Sequence, residues 1–156
     1  MNKGRSFENK LSLALASLTK KELGFFIKSP TPIRLIIENN QQKVIHAQKA
    51  LCDFIGIFNT KFILLEAKEI TNKRFELKRL KAHQMKQLSK IKQFGGQGII
   101  IFNCVSMKKV IAVSIDDYLV YCNQTIKKSL NVETLIEIGT EIDLKCLENY
   151  FNQLTS

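Results

Sequence analysis

Two apolar runs separated by only two residues constrain the fold of this chain more than any other feature. Residues 51–58 and 61–69 have the length and composition of β-strands, and residues 59–60 can form the turn of a hairpin. With that turn, antiparallel pairing places Asp53 directly opposite Glu66, with both side chains on one face. The Asn-Thr turn is the assumption in this register.

The charges on this hairpin are unusual for strands built for a dry interior. Two carboxylates that face each other repel unless something positive lies between them, and an acid–base pair would have been more stable. Lys68 is two residues beyond Glu66, so it shares the same face. The pattern predicts that Asp53 and Glu66 hold a cation between them, beside Lys68.

Composition limits the class of protein and its partners. The chain has 156 residues, 45% of them hydrophobic and 24% charged, which suits a single domain, 1–156, with a substantial core. Its net charge of +10 favours a polyanionic partner, either nucleic acid or an acidic membrane surface. No apolar run reaches the ~20 residues of a membrane span, which predicts a soluble protein without a membrane partner.

The cysteines indicate a reducing compartment. The chain has four of them, scattered without a C-x-x-C pair, which does not favour a zinc site or a disulfide framework. We therefore expect reduced, mostly buried thiols in a cytoplasmic protein. They are Cys52, Cys104, Cys122 and Cys146.

The first segment is predicted to be an amphipathic helix rather than a signal peptide, because Lys20 and Lys21 stand where small cleavage-site residues should be. Glu8 shares the apolar face of this helix. It is either a boundary residue whose carboxylate reaches water or a functional group. The apolar positions are Phe7, Leu11, Leu15 and Leu18.

A second helix is predicted over residues 75–94. Gln84 lies in its inward stripe of Leu77, Leu80, Leu88 and Ile91, either hydrogen-bonded to backbone or functional. The polar surface is almost entirely basic, with Glu76 as its only acid, which favours contact with phosphates. Its cations are Lys73, Arg74, Lys78, Arg79, Lys81, Lys86, Lys90 and Lys92.

The remaining segments alternate between strand and helix patterns, which predicts an α/β protein. A polar loop tip is expected at residues 39–42, and the glycine pair at residues 95–96 ends the second helix. Strands are expected at 24–30, 30–39, 98–105 and 109–115, and helices within 116–129 and 144–154.

The order of helix with Glu, strand with Asp, strand with Glu-x-Lys and helix resembles the PD-(D/E)xK nuclease superfamily. That resemblance implies a restriction-endonuclease-like core, with a mixed central β-sheet flanked by helices. More specifically, the chain is similar to RecU-type Holliday junction resolvases over nearly its whole length. The matching stretches, in order, are NKGRSFENKL, IKSPTPIRLI, DFIGIF, LLEAKE, FELKRLKAHQ, GGQGIIIF and, weakly, KKSLNVETLIEIGTEI.

The resemblance implies a catalytic site on this sequence. Asp53 and Glu66 would be carboxylate ligands of Mg²⁺, with one or two ions per subunit, and Gln84 would complete or support that site. Lys68 would orient the attacking water or stabilise the charge that builds on the phosphate. Glu8 would assist the site, whereas His83 is assigned a structural role.

The resemblance also implies partners. The substrate would be branched DNA, a four-way junction, cut by paired symmetrical nicks during recombination and repair. Two matched cuts favour a C₂ homodimer, and other recombination proteins are further candidate partners, near the nucleoid. The expected DNA-binding residues are Lys3, Arg5, Lys28, Lys73, Arg74, Lys78 and Arg79, with the Pro30-Thr31-Pro32 turn close to the DNA.

Two departures from the family pattern leave alternatives open. A threonine that precedes the aspartate in relatives has no counterpart, because this chain reads Ala50-Leu51-Cys52. The stalk-like segment, about residues 33–50, is also shorter. The chain could therefore be a weak or inactive DNA-binding or strand-annealing protein of the same fold, or a nuclease for flaps, nicked duplex or RNA.

Overall fold

The computed structural model describes residues 3–30, 33–39, 41–46 and 50–156, which form a central β-sheet flanked by helices. The helices in these ranges are α1 (Lys3–Lys20), α2 (Ala82–Lys90), α3 (Ile115–Gln124), α4 (Val132–Ile138) and α5 (Leu147–Thr155). The strands are β1 (Gly24–Lys28), β2 (Ile33–Glu38), β3 (Gln41–His46), β4 (Phe54–Phe58), β5 (Lys61–Ile70), β6 (Arg74–Glu76), β7 (Gln97–Cys104), β8 (Lys109–Ser114), β9 (Ser129–Asn131) and β10 (Thr140–Glu141).

The main sheet is mixed, as predicted. Its six strands lie in the order β1-β4-β5-β7-β8-β10. β5 and β7 are parallel, and the other neighbouring pairs are antiparallel. β2 pairs with β3, and β6 pairs with β9, in two separate two-stranded sheets. A restriction-endonuclease-like arrangement of mixed sheet and flanking helices is therefore present.

Hydrophobic side chains are buried on both faces of the sheet. The predicted apolar face of α1 is confirmed, since Phe7, Leu11, Leu15 and Leu18 are all buried and pack with α5 on one face. Residues of α2, α3 and α4 cover the other face. The middle of β7 is consequently apolar on both sides: Ile99 and Ile101 pack on the α1 and α5 face, and Ile100 and Phe102 pack on the opposite face.

The β4–β5 hairpin has the predicted register. Phe54 pairs with Leu65 and Phe58 pairs with Lys61. The two turn residues, Asn59 and Thr60, have positive φ values of 45° and 66°, as a tight two-residue turn requires. β4 begins at Phe54 rather than at residue 51, so the aspartate before it lies at the entrance of the strand.

The prediction of a single helix over residues 75–94 is wrong. The chain forms β6, a 3₁₀ turn at Leu77–Arg79, α2 and a second 3₁₀ turn at Ile91–Phe94. The cause is a distant strand: Phe75 pairs with Leu130 of β9, and both side chains are buried. Tertiary pairing therefore overrides the local helical pattern. Much of the predicted basic helix surface lies on a strand and a turn instead.

The segment predicted as a stalk contains the β2–β3 hairpin, which stands apart from the main sheet. Its tip is tighter than predicted, because Gln41 and Gln42 already belong to β3 and Asn39 has a positive φ of 52°. Asn40, which belongs to the predicted loop tip, and residues 47–49 lie outside the described ranges. The remaining predicted elements, β1, β7, β8, α3 and α5, are confirmed.

Two further sequence predictions concern cysteines and membranes. The four cysteines are free thiols; two of them, Cys52 and Cys104, are buried, and Cys146 is exposed. Within the described ranges, no helix combines the length and apolar character needed to cross a membrane.

Candidate active site

Asp53 is held at the entrance of β4 by three backbone hydrogen bonds. Its amide donates to the Leu65 carbonyl (3.1 Å), and its carbonyl accepts from the Ser29 amide (2.8 Å). Its carboxylate Oδ2 accepts from the amide of Ala67, at 2.8 Å. These bonds connect Asp53 to the end of β1 and to the middle of β5, so the carboxylate has little freedom to move.

Glu66 is a buried carboxylate, with a side chain only 1% exposed. Its Oε1 accepts from Lys68 Nζ at 2.7 Å and from Gln84 Nε2 at 2.5 Å. Its Oε2 is buried and has no hydrogen-bond partner among the described residues. A buried carboxylate oxygen without a partner is costly, so this atom marks a place where a ligand can be accommodated.

The electrostatics show that the two carboxylates are neighbours. Burial raises the pKa of Glu66 from 4.5 to about 7; the Asp53 carboxylate contributes to the rise, and Lys68 opposes it. Burial likewise raises the pKa of Asp53, while the hydrogen bond from Ala67 lowers it. The structure thus brings together Asp53, Glu66 and Lys68, whose side chain is 14% exposed.

Gln84 links the first turn of α2 to this site. Its Oε1 accepts from the backbone amide of Lys81 at 3.0 Å, which satisfies a free donor at the start of the helix. Its Nε2 donates to Glu66, and Lys68 Nζ lies 3.5 Å from its Oε1. Both the oxygen and the nitrogen of the Gln84 side-chain amide are therefore hydrogen-bonded to protein groups. This geometry favours a supporting role over direct coordination.

Glu8 lies beside the same site, from the α1 side. Its Oε2 is 2.9 Å from Lys28 Nζ, and its side chain is 27% exposed. The charge of Glu8 raises the pKa of Asp53, and the charges of Lys68 and Lys28 lower it. A cleft of about 410 Å³ opens here, lined by Phe7, Glu8, Ala67, Lys68, Glu69, Thr71 and Arg79.

The predicted DNA-binding residues divide into two groups. Lys28, Lys73, Arg74 and Lys78 are exposed and can reach a phosphate. Arg79 is also exposed, but its guanidinium is already engaged within the protein: it donates to the Glu69 carbonyl at 2.8 Å and lies 5.1 Å from the ring centre of Phe75. The side chains of Lys3 and Arg5, and the residues Thr31 and Pro32, lie outside the described part of the chain.

We expect Arg79→Ala to lower the unfolding free energy by about 1–2 kcal/mol, because a charged hydrogen bond and a cation–π contact are lost together. Urea denaturation measures this. Arg79→Lys is the control, since it keeps the charge but loses the planar guanidinium. Equal stability of wild type and Arg79→Ala would contradict the structural role and return Arg79 to the set of DNA contacts.

Cys52 occupies the position where the resemblance leads one to expect a threonine. Its side chain is 2% exposed, and its Sγ donates to the Phe54 carbonyl at 3.1 Å. Burial, reinforced by the charges of Glu66 and Asp53, raises the pKa of this thiol to about 12. The thiol therefore stays protonated at neutral pH and is a poor metal ligand.

Sequence reasoning missed the backbone groups of the site. The Ala67 amide binds Asp53, and the Ser29 amide fixes its backbone, yet backbone donors leave no mark on a residue pattern. It also missed the ion pair that joins Glu8 to Lys28, since those residues lie on separate elements. The short spacing between α1 and β1 was the only available signal.

The residues present fit a divalent cation held by carboxylates. Within the described ranges, no group of three or more His, Cys, Asp and Glu side chains is arranged to bind a metal. Two carboxylates, one with an unsatisfied buried oxygen, remain available in Asp53 and Glu66. Mg²⁺ is commonly bound by one or two carboxylates and keeps several water ligands, so this small donor set suits it.

Known proteins resemble this chain over most of its length. The family model RecU, Recombination protein U, matches residues 2–155. A Holliday junction resolvase RecU from Mycoplasmopsis pulmonis (strain UAB CTIP) is 28% identical over 143 residues, covering 92% of this chain and 86% of the relative. A protein of the same name from Streptococcus pneumoniae (strain P1031) is 25% identical over 150 residues, covering 90% and 76%.

A solved structure has a similar fold. Hjc of Archaeoglobus fulgidus, described as a Holliday junction resolvase from an archaeal hyperthermophile, gives a TM-score of 0.55 at 16% sequence identity. The likeness covers 88% of this chain and 95% of that one. Together with the match of residues 2–155 to the family model, these findings show that the chain belongs to the RecU family of resolvases and is an enzyme of the nuclease class.

Proposed function

We propose that this protein is a metal-dependent, structure-selective endonuclease that resolves four-way DNA junctions by paired nicks in recombination and repair. The observation that carries the proposal is the grouping of Asp53, Glu66 and Lys68, with a buried Glu66 oxygen that lacks a partner. The relatives' names and the basic surface support a junction substrate. The whole chain, 1–156, would act as one nuclease domain, in the cytoplasm beside the nucleoid.

In this proposal Asp53 and Glu66 hold Mg²⁺, and Gln84 keeps the Glu66 carboxylate oriented. Phosphodiesters resist hydrolysis because a weak nucleophile must attack an anion, and a bound divalent ion makes water more acidic and neutralises charge on phosphate. Asp53 is already oriented by the Ala67 amide. Neither carboxylate therefore needs a large rearrangement to act as a ligand.

Lys68 supplies the positive charge beside the reacting phosphate. In the free protein its ammonium is bound to Glu66, at 2.7 Å, and is mostly shielded from water. A charge placed in advance in a partly dry site stabilises developing negative charge more strongly than one in bulk water. Glu8 and Lys28 lie at the rim of the same cleft, where Lys28 can exchange its carboxylate partner for a DNA phosphate.

DNA would be positioned through its backbone rather than read by sequence. The exposed lysines and arginines offer phosphate contacts, which fix register and orientation without base specificity. Selectivity for a junction would then come from its shape. The proposed contacts are Lys3, Arg5, Lys28, Lys73, Arg74 and Lys78.

An uncovered apolar face of the sheet supports a homodimer. Phe25 of β1, Ile57 of β4 and Phe62 of β5 form a row across three paired strands, and each is at least 37% exposed. Phe94 lies near this row and is 74% exposed; with Phe62 it lines an adjoining groove. Contiguous exposed apolar surface of this kind marks an interaction site. A second copy would bury it and supply the second cut.

We expect Phe25→Glu combined with Ile57→Glu to produce monomers, because two carboxylates would have to be buried in each half of the interface. Light scattering coupled to size-exclusion chromatography measures the mass. Leu13→Glu is a matched control, since Leu13 is 73% exposed on α1, away from this face. A wild-type protein that is monomeric at micromolar concentration, or a double variant that still dimerises, would refute this interface.

The deciding experiment is a cleavage assay with and without Mg²⁺. It compares a synthetic four-way junction with linear duplex, flap and RNA substrates. Paired nicks on the junction, absent without the metal, are expected. Cleavage of flaps or RNA in preference to the junction would reassign the substrate.

A second candidate function is DNA binding or strand annealing without cleavage. The buried Cys52 at the position of the family's threonine is the observation that favours it. Junction binding with no cleavage in Mg²⁺ or Mn²⁺ would support this alternative. Other recombination proteins as partners are a further proposal that co-purification can test.

A further inference from the structure

A second cleft, which is rich in lysine, is formed where β6 pairs with β9. Glu76 faces Ser129 in this small sheet, and the amide of Leu77 donates to the Lys128 carbonyl at 3.0 Å. The two strands are far apart along the chain. Their pairing therefore brings a lysine pair from the loop before β9 to the basic segment that follows β5.

The cleft is large enough for a stretch of DNA backbone. Its volume is about 590 Å³, and it is lined by Glu76, Leu77, Lys78, Lys127, Lys128 and Ser129. The 3₁₀ turn Leu77–Arg79 contributes to both clefts, since Lys78 lines this one and Arg79 lines the candidate active site. A strand leaving the active site over this turn would meet the second cleft directly.

The charges of the cleft are available for an anion. Neither Lys127 nor Lys128 has an ion-pair partner within the part of the chain that the structure describes. Lys78 is 3.0 Å from Glu76, but both side chains are well exposed, at 82% and 58%. Such a surface pair contributes little free energy, so a phosphate can replace the carboxylate. Three ammonium groups thus face a single acid.

We propose that this β6–β9 cleft binds the sugar-phosphate backbone of the junction arm next to the cleaved strand. The inference rests on the proposed nuclease function and extends the DNA-binding surface to Lys127 and Lys128, which no local pattern connects to the site. Apart from the Glu76 carboxylate, the polar side-chain groups that line the cleft are three ammonium groups and one hydroxyl, and no aromatic ring, amide or guanidinium is among the described lining residues. The cleft would therefore position DNA independently of sequence.

The test is Lys127→Ala combined with Lys128→Ala. Fluorescence anisotropy with a labelled four-way junction, in chelator and without Mg²⁺, measures the dissociation constant at several salt concentrations. We expect about tenfold weaker binding near physiological salt and a log–log salt slope smaller by about 2, one for each lost phosphate contact. The control removes two other lysines, Lys20→Ala with Lys61→Ala. Both lie at the β4–β5 turn end of the sheet, opposite the carboxylates.

The outcomes separate this inference from the proposed activity. Unchanged affinity and slope in the Lys127/Lys128 variant would overturn it, as would an equal loss in the control pair, which would indicate net charge alone. Cleavage of the junction by wild type is scored separately. A protein that binds through these lysines but never cuts would refute the nuclease proposal and leave the β6–β9 cleft standing.

Discussion

Asp53→Asn should reduce cleavage of a four-way junction by at least about a thousandfold, a loss of about 4 kcal/mol in transition-state stabilisation. The variant loses a charged oxygen ligand next to Glu66. It keeps an oxygen that can accept the hydrogen bond from Ala67. The loss should therefore fall on catalysis, with folding preserved. Binding should be retained or slightly tighter, because one negative charge leaves a DNA-facing site.

The measurement is single-turnover cleavage with Mg²⁺, together with binding of the same junction and thermal unfolding. Asp116→Asn is a matched control, since Asp116 is a surface carboxylate paired with Lys92. Cleavage at the wild-type rate would remove Asp53 from the list of ligands. A folded variant that no longer binds the junction would instead assign Asp53 to substrate binding.

Lys68→Ala should destabilise the metal-free protein by about 3–5 kcal/mol at pH 8, because it leaves the buried Glu66 carboxylate without its cation. The loss should be smaller at pH 5 by about 1 kcal/mol, because at pH 8, one unit above its pKa, Glu66 can relieve the unpaired charge only by taking up a proton. Burial raises the pKa of Glu66 from its ordinary value of 4.5 to about 7 in the folded protein. At pH 5 it is therefore mostly protonated in the folded protein, where the ammonium has less charge to neutralise.

The sign of this pH effect can be stated for the wild type. A carboxyl whose pKa is raised by folding binds its proton more tightly in the folded state. Its contribution is most favourable below pH 4.5 and becomes less favourable as the pH rises toward 7. Above pH 7 the full penalty of the buried charge is present. In Lys68→Ala the pKa of Glu66 should rise further. The stability of this variant should therefore continue to fall with pH above pH 7.

Urea denaturation in chelator at pH 5 and pH 8 measures both effects. Glu66→Gln should flatten the pH dependence of the unfolding free energy. When Lys68→Ala is combined with Glu66→Gln, the stability lost through Lys68→Ala should be nearly equal at the two pH values. Cleavage by Lys68→Ala should fall by at least about a hundredfold. If Lys68→Ala loses the same stability at both pH values, the ion pair with Glu66 is not the cause.

The β4–β5 hairpin could be predicted from the sequence because its information is local. A two-residue turn fixes the register of the strands that it joins, and strand side chains alternate between faces. The placement of Asp53, Glu66 and Lys68 on one face of the hairpin therefore followed from their positions in the sequence. The helical period of α1 placed Glu8 on the apolar face but left its role open, and only the family resemblance assigned it to the site.

The tertiary structure decided everything that depends on distant partners. Phe75 belongs to a strand because Leu130 pairs with it. That pairing places Lys128 near Lys78, and the turn after β6 lets Arg79 donate to the Glu69 carbonyl. The contacts of Gln84 with Glu66 and with the start of α2 likewise exist only after packing. Local periodicity tells which face a residue occupies, but it carries no information about which remote segment will cover that face.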